Sequence, residues 1–206
     1  NLNNGSVVSP GHAPRESGST HDVYVELRGP AATDVHHNFV QRWNEASDRD
    51  LADGLWPDAL GQGELPFPES LSPAAGEIPV QIQRTVRRER YRDGTPAPGG
   101  VGFDIAGGEH SILDQYLRAI ESARDAIYIE DQAIGAKPVV DALGAALERG
   151  VEVVVLVPAD PHREMAAGRG DPANRDFFEA LAALGRFERF ALAGIASCTG
   201  PGAYQN

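Results

Sequence analysis

Between Glu109 and Val157 the sequence switches three times between two periodicities. Ile112, Leu113, Tyr116, Leu117 and Ile120 recur at helical spacing, and Ile127 to Ile129 form a short β-rich run. Helical spacing then returns at Val139, Val140, Leu143 and Leu147, and Val151 to Val157 are mostly apolar. Parallel strands need a crossover between them, and a helix supplies it. The order helix, strand, helix, strand therefore predicts an α/β fold with a mixed or mostly parallel sheet flanked by helices. The run 151–157 is apolar enough to be expected buried on both faces. Open α/β sheets hold ligands at the carboxyl ends of their strands, so Glu130, Asp131 and Gln132, which follow the first strand, are the first place to look for chemistry.

Local signals set the expected boundaries. Ser111 followed by Asp114 reads as a capping box, starting the first helix near Ile112. Pro138 suits the first turn of the second helix, and Gly150 its end. Asn174 is the expected cap of a third helix with Phe177, Phe178, Leu181 and Leu184 on one side and Gly185 as its stop. The closing run 186–196 reads as another strand. Residues 158–170 read as a loop, where Asp160, His162 and Arg163 either touch a ligand or are polar only because they face water.

The first half has weaker patterns. Residues 1–20 read as a surface loop or frayed end. Val23, Val25 and Leu27 alternate with polar neighbours and predict a half-buried strand ending at Gly29. Ala32, Val35, Phe39, Val40 and Trp43 form the apolar stripe of a helix, with Thr33 as its cap. His36 and His37 are adjacent, whereas helix-borne metal ligands sit a turn apart, so the expectation is one exposed histidine and one packed, hydrogen-bonded one. His21 receives the same structural reading. From Ser47 to Pro79 the chain is crowded with Asp, Gly and Pro, a lid or an insertion stapled down by Trp56. Val80, Ile82 and Val86 alternate as a strand, and Asp93 to Gly100 form a linker. The domain reading places a boundary there, with 1–97 as one half and 98–206 as the other.

Composition removes several function classes. The 206 residues carry a formal net charge of -12, which disfavours a nucleic-acid partner, although Arg84 to Arg92 form a local basic run. Cys198 is the only cysteine, so no internal disulfide and no cysteine-based metal site is expected. No metal or cofactor is expected. Neither Gly-rich phosphate-loop pattern is present, which weakens a nucleotide-binding reading. No apolar run is long enough to cross a bilayer and no charged-then-apolar leader opens the chain. Met165 is the only methionine, so Asn1 is not expected to be an unprocessed start. The compartment, cytoplasmic or secreted, is left open.

In their order, these pieces resemble the phospholipase D family. Residues 21–47 resemble its strand, Gly-Pro and Asn-Phe-x-x-Arg-Trp helix, and residues 80–85 resemble its Gln-x-x-Arg-Thr strand. Residues 111–132 resemble its Ser-Ile-x-x-x-Tyr helix and Ile-Glu-Asn-Gln strand, and residues 146–158 resemble the strand after that. The resemblance implies two pseudo-equivalent halves, each with a His-x-Lys-x-x-x-x-Asp motif. One histidine attacks phosphorus to give a phosphohistidine, the other protonates the leaving alcohol, and the lysines clamp phosphate oxygens without a metal.

Neither motif is present here. The sole lysine is Lys137, and the residue two before it is Gly135. The expectation is the central segment of a phospholipase D-like phosphodiesterase, with no catalytic residue of its own and inactive alone. Its parent would act on a phospholipid, with peripheral membrane contact left open. By resemblance, Asn1 is the phosphate-facing asparagine, and Glu130 and Gln132 sit near the active-site mouth. Asp131 stands where the family has asparagine and adds negative charge. Arg84 either positions a phosphate or carboxylate or forms a structural ion pair with Glu130 or another acid. The alternatives are a non-catalytic family member that binds a lipid head group or protein partner, and a nuclease of the same superfamily.

Overall fold

The computed structural model describes residues 24–47, 64–159, 163–195, 197–200 and 203–205. They fall into two compact units that divide between Ile112 and Leu113. The expected α/β class is the one found: a three-stranded parallel sheet flanked by helices.

The unit after Leu113 is built on that sheet. Its strands are β3 (Ala126–Glu130), β4 (Glu152–Pro158) and β5 (Phe190–Ile195), in the order β3-β4-β5. Tyr128 lies opposite Val154 and Val154 opposite Ala191, which fixes the parallel register. The crossovers are the helix α3 (Lys137–Glu148) and, after the short helix α4 (Arg163–Gly168), the helix α5 (Arg175–Leu184). α2 (Ser111–Ser122) leads into β3. Leu143, Ala146, Val153 and Val155 are completely buried, and Ile120, Val140, Leu147, Val151 and Leu184 join them in one core.

The expected signals for this unit hold in most places. Pro138 lies in the first turn of α3, where its missing N–H costs nothing. Gly150 follows the end of α3 with φ +88, a left-handed conformation that L side chains rarely adopt. Three details differ. The run 158–170 contains α4 and is not loop throughout; Asp160 and His162 lie outside the described residues, and Arg163 is exposed. Asn174 precedes α5 but does not cap it, because its side-chain amide donates to the Gly168 carbonyl at 3.1 Å. Along β4, Val153 and Val155 are buried while Val154 and Leu156 on the opposite face are only half-buried. An antiparallel pair, β6 (Ser197–Gly200) and β7 (Ala203–Gln205), follows the sheet in sequence.

Among its described residues, the unit ending at Ile112 has little regular structure beyond one helix. α1 (Pro30–Ser47) is the helix expected from the apolar stripe, but it begins at Pro30 and Thr33 lies inside it. Two short strands, β1 (Thr85–Val86) and β2 (Glu109–His110), pair antiparallel. Of the strand expected over Val80 to Val86 only these two residues form a ladder. The strand expected at Val23 to Leu27 does not appear. Residues 24–28 are irregular, with Tyr24 80% and Val25 78% exposed. Alternation records what a chain would do beside a partner, and pairing is settled by distant residues.

The buried face of α1 departs in part from the expected stripe, of which Val40 is buried and Ala32 and Trp43 are half-buried. Val35 and Phe39 are exposed, whereas Thr33, His37, Gln41, Asn44 and Glu45 are buried beside Val40. The polar stripe meets irregular chain whose N–H and C=O groups have no ladder, and buried backbone groups need partners. Thr33 Oγ1 accepts from the Ser72 N–H at 2.8 Å, and Asn44 brackets Leu65, donating to its carbonyl and accepting from its N–H. This pins Leu65 and Ser72, in the described part of the connection expected between Ser47 and Pro79; Trp56 lies outside the described residues.

Candidate functional site

The sequence points to two places, one in each unit. At the end of β3, Glu130 is exposed and its carboxylate accepts a hydrogen bond from the Tyr128 hydroxyl at 3.0 Å. That bond holds the phenol proton and raises the Tyr128 pKa. Asp131 continues the strand by donating its N–H to the Leu156 carbonyl at 3.1 Å, and its carboxylate takes the Gln132 N–H at 2.6 Å. Glu130 and Gln132 therefore flank a local turn at the carboxyl end of a parallel strand, with both side chains exposed. The position is one where α/β sheets hold ligands.

Arg84 belongs to the other unit and is tied to side chains there. Its Nε donates to Glu109 Oε2 at 2.5 Å, and its Nη1 donates to Gln41 Oε1 at 2.6 Å and Asn38 Oδ1 at 3.1 Å. Arg84 and Glu109 are 18% and 22% exposed, so the pair is largely withdrawn from water. The Arg84 backbone is held as well: its N–H donates to Ser111 Oγ at 3.0 Å. The Ser111 hydroxyl hydrogen has the Arg84 carbonyl and the Glu109 carboxylate as acceptors, each 2.9 Å away. Ser111 thus opens α2 while bonded to Arg84 and Glu109, which replaces the expected capping box with Asp114. The structural ion pair anticipated for Arg84 is formed with Glu109.

His37 and Glu45 extend this network along α1. His37 is 5% exposed, its ring lies 4.8 Å from that of Phe67, and its Nε2 is 2.9 Å from the Thr95 carbonyl, to which it donates. Burial lowers its pKa below 6.5, opposed by the Thr95 carbonyl and reinforced by the Arg84 charge. A neutral, hydrogen-bonded His37 beside an exposed His36 is the arrangement expected from their adjacency. Gln41 donates to the Asp93 carbonyl, and the Glu45 carboxylate accepts the N–H groups of Arg92 and Asp93, the latter at 2.6 Å. Sequence reasoning missed Asn38, Gln41, Asn44, Glu45 and Glu109. The signal was there: Thr33, His37, Gln41 and Glu45 are spaced four apart, a polar stripe as regular as the apolar one.

Asn1 lies outside the described residues. Lys137, the sole lysine, is committed to Asp141 one turn along α3, with Nζ 2.8 Å and 2.7 Å from the two carboxylate oxygens. Among the described residues no cluster of histidine, cysteine or carboxylate side chains could hold a metal ion. No described helix is long and apolar enough to cross a membrane.

A sequence profile of the family described as phospholipase D matches residues 4–138. The chain belongs to the phospholipase D family. Its relatives include phospholipase D alpha 2 of Oryza sativa subsp. japonica, 34% identical in an alignment 148 positions long that covers 64% of this chain. Phospholipase D alpha 2 of Arabidopsis thaliana is 32% identical in an alignment of 136 positions covering 62% of the chain, and phospholipase D alpha 1 of Zea mays is 33% identical in one of 147 positions covering 64%. The chain spans 16% of the length of each of these phospholipases D. No solved structure matches it. Both candidate places, Arg84 to Ser111 and the end of β3, lie inside the matched span.

Proposed function

We propose that this chain contributes the central scaffold of a phospholipase D-type phosphodiesterase that hydrolyses or transfers the phosphatidyl group of a phospholipid. The observation that carries the reading is the family match over residues 4–138 in a chain with no His-x-Lys pair. Covalent capture of phosphorus in this chemistry requires an imidazole nucleophile with cationic groups on the phosphate oxygens. Here the one ammonium side chain is bound to Asp141.

In this reading residues 1–97 and 98–206 belong to two pseudo-equivalent halves. Asn1, Glu130 and Gln132 line the mouth of the site. Arg84 contributes through Glu109 and Ser111, fixing where α2 begins. The reaction centre itself would come from histidine and lysine motifs outside this chain.

Choline release from phosphatidylcholine vesicles tests the reading. The 206-residue chain is expected to give no turnover above the blank, and turnover would overturn the proposal. A longer polypeptide carrying this stretch between two His-x-Lys motifs is expected to release choline. Changing either motif histidine to alanine should abolish that release.

A further inference from the structure

One surface of the unit ending at Ile112 is anchored to α1 through the Thr95 carbonyl and the Arg92 N–H, and its side chains are not used in the networks above. Residues 94–103 contain no charged side chain and consist of Gly, Pro, Ala, Thr, Val and Phe. They leave and re-enter the unit at nearly the same point. A Cβ on Gly94 would sit 2.8 Å from the Phe103 carbonyl oxygen, closer than a side chain allows. The tip is a turn closed by the Gly100 N–H donating to the Ala97 carbonyl at 2.8 Å. Just after the tip Val101 is 88% exposed, and Phe103 is 51% exposed at the base. Exposed Leu71 lies beside the tip, 3.8 Å from where a Gly99 Cβ would be.

Arginines gather at the base of the same loop. Arg87 to Arg90 form a turn, the Arg90 N–H donating to the Arg87 carbonyl at 3.0 Å. The Glu89 N–H of that turn donates to the Ala106 carbonyl at 2.8 Å, which sets the turn against the chain leaving the loop. Arg87, Arg88, Arg90 and Arg92 are all exposed. Exposed Glu89, Asp93 and Asp104 lie among or beside them, yet Arg87, Arg88 and Arg92 leave the 87–92 segment net positive in a chain of net charge -12.

We propose that residues 94–103 are a membrane-contact loop, in which Val101 and Phe103 enter the headgroup boundary of a phospholipid bilayer while Arg87, Arg88 and Arg92 meet lipid phosphates. Shallow insertion of apolar side chains with cations at the phosphate level is how peripheral proteins hold a bilayer. Duplex nucleic acid would use the arginines but gives Val101 and Phe103 nothing to enter. The inference goes beyond the phosphodiesterase reading, since it rests on the loop and its arginines alone.

The test is co-sedimentation of the 206-residue chain with vesicles of phosphatidylcholine containing phosphatidylglycerol. The chain is expected to bind. Val101→Asp and Phe103→Asp should each lower the partition coefficient about tenfold. Arg87→Gln and Arg88→Gln should each lower it about fivefold at low salt, and by less as salt is raised. Tryptophan emission of Phe103→Trp, compared with that of the unsubstituted chain with its Trp43 and Trp56, should shift to the blue when vesicles are added, with far-UV circular dichroism unchanged. An unshifted emission, unchanged partitioning of the tip variants, or binding to duplex DNA in place of vesicles would overturn the proposal. Choline release is scored separately, so a failure to bind condemns the loop and unexpected turnover condemns the scaffold reading.

Discussion

Val153, Val155, Leu143 and Ala146 close the unit after Leu113 around side chains with no polar atoms, whereas the unit before it buries Gln41, Asn44, Glu45, His37 and Thr33 beside Val40, Val86 and Ile105. The first arrangement follows from regular elements. A parallel sheet satisfies its own backbone, so the faces that meet can be purely apolar. The second follows from their scarcity. Residues 64–84 and 91–104 leave backbone donors and acceptors unmatched, and α1 supplies side chains to meet them. The comparison teaches that a helix buries whichever face its neighbours require, and irregular neighbours require a polar one.

The largest effect that sharpens this contrast is expected from Leu143→Ala. The side chain is fully buried, and its truncation should cost about 2–5 kcal/mol in urea denaturation followed by far-UV circular dichroism. A loss below about 1 kcal/mol would mean that this core is not what stabilises the sheet. Next, Gln41→Leu keeps the volume but strips Arg84 and the Asp93 carbonyl of a partner, and should cost about 1–3 kcal/mol. Trp43 belongs to the unit ending at Ile112, so tryptophan fluorescence follows this change. A stabilised Gln41→Leu would break the comparison outright, because an apolar face would then serve α1 better.

A pH titration probes the same face. His37 has its pKa lowered below 6.5 in the folded protein, so the unfolded chain takes up the proton first. Stability of this unit should therefore fall as pH drops through about 6.5, until the lowered folded pKa is reached and this group contributes no further loss. His37→Gln should remove that slope, and a slope unchanged by the substitution would place the dependence elsewhere. The smallest effect is expected at Lys137→Ala, where an exposed pair one turn apart on α3 contributes about 0.3–0.5 kcal/mol. A thermal melt shifted well beyond that would give Lys137 a role its position does not explain.

Legibility in the sequence followed the same division. Around the sheet, the two periodicities located α2, β3, α3, β4, α5 and β5, because each element's own apolar spacing decides its burial there. The helix α1 was equally visible, yet its buried face was not, since that choice depends on chain as far away as Asp93 and Thr95. The strand expected at Val23 to Leu27 failed for the same reason: a strand needs a neighbour, and alternation names none. At the candidate site, the exposed place of Glu130 and Gln132 could be read from where β3 stops. The partners of Arg84 could not, because Glu109 lies 25 positions away and only the pairing of β1 with β2 brings the two together.

The outer side of β5 bears on how the protein must be handled. Phe190 to Ile195 pair with β4 on one side, and among the described residues nothing pairs with the other. The segment reads FALAGI, with no charge and no proline to discourage a newcomer. An unguarded rim of this kind lets one polypeptide zip onto another. Self-association should therefore grow with concentration, and a lysine placed at Ala193 is the simplest gatekeeper against it.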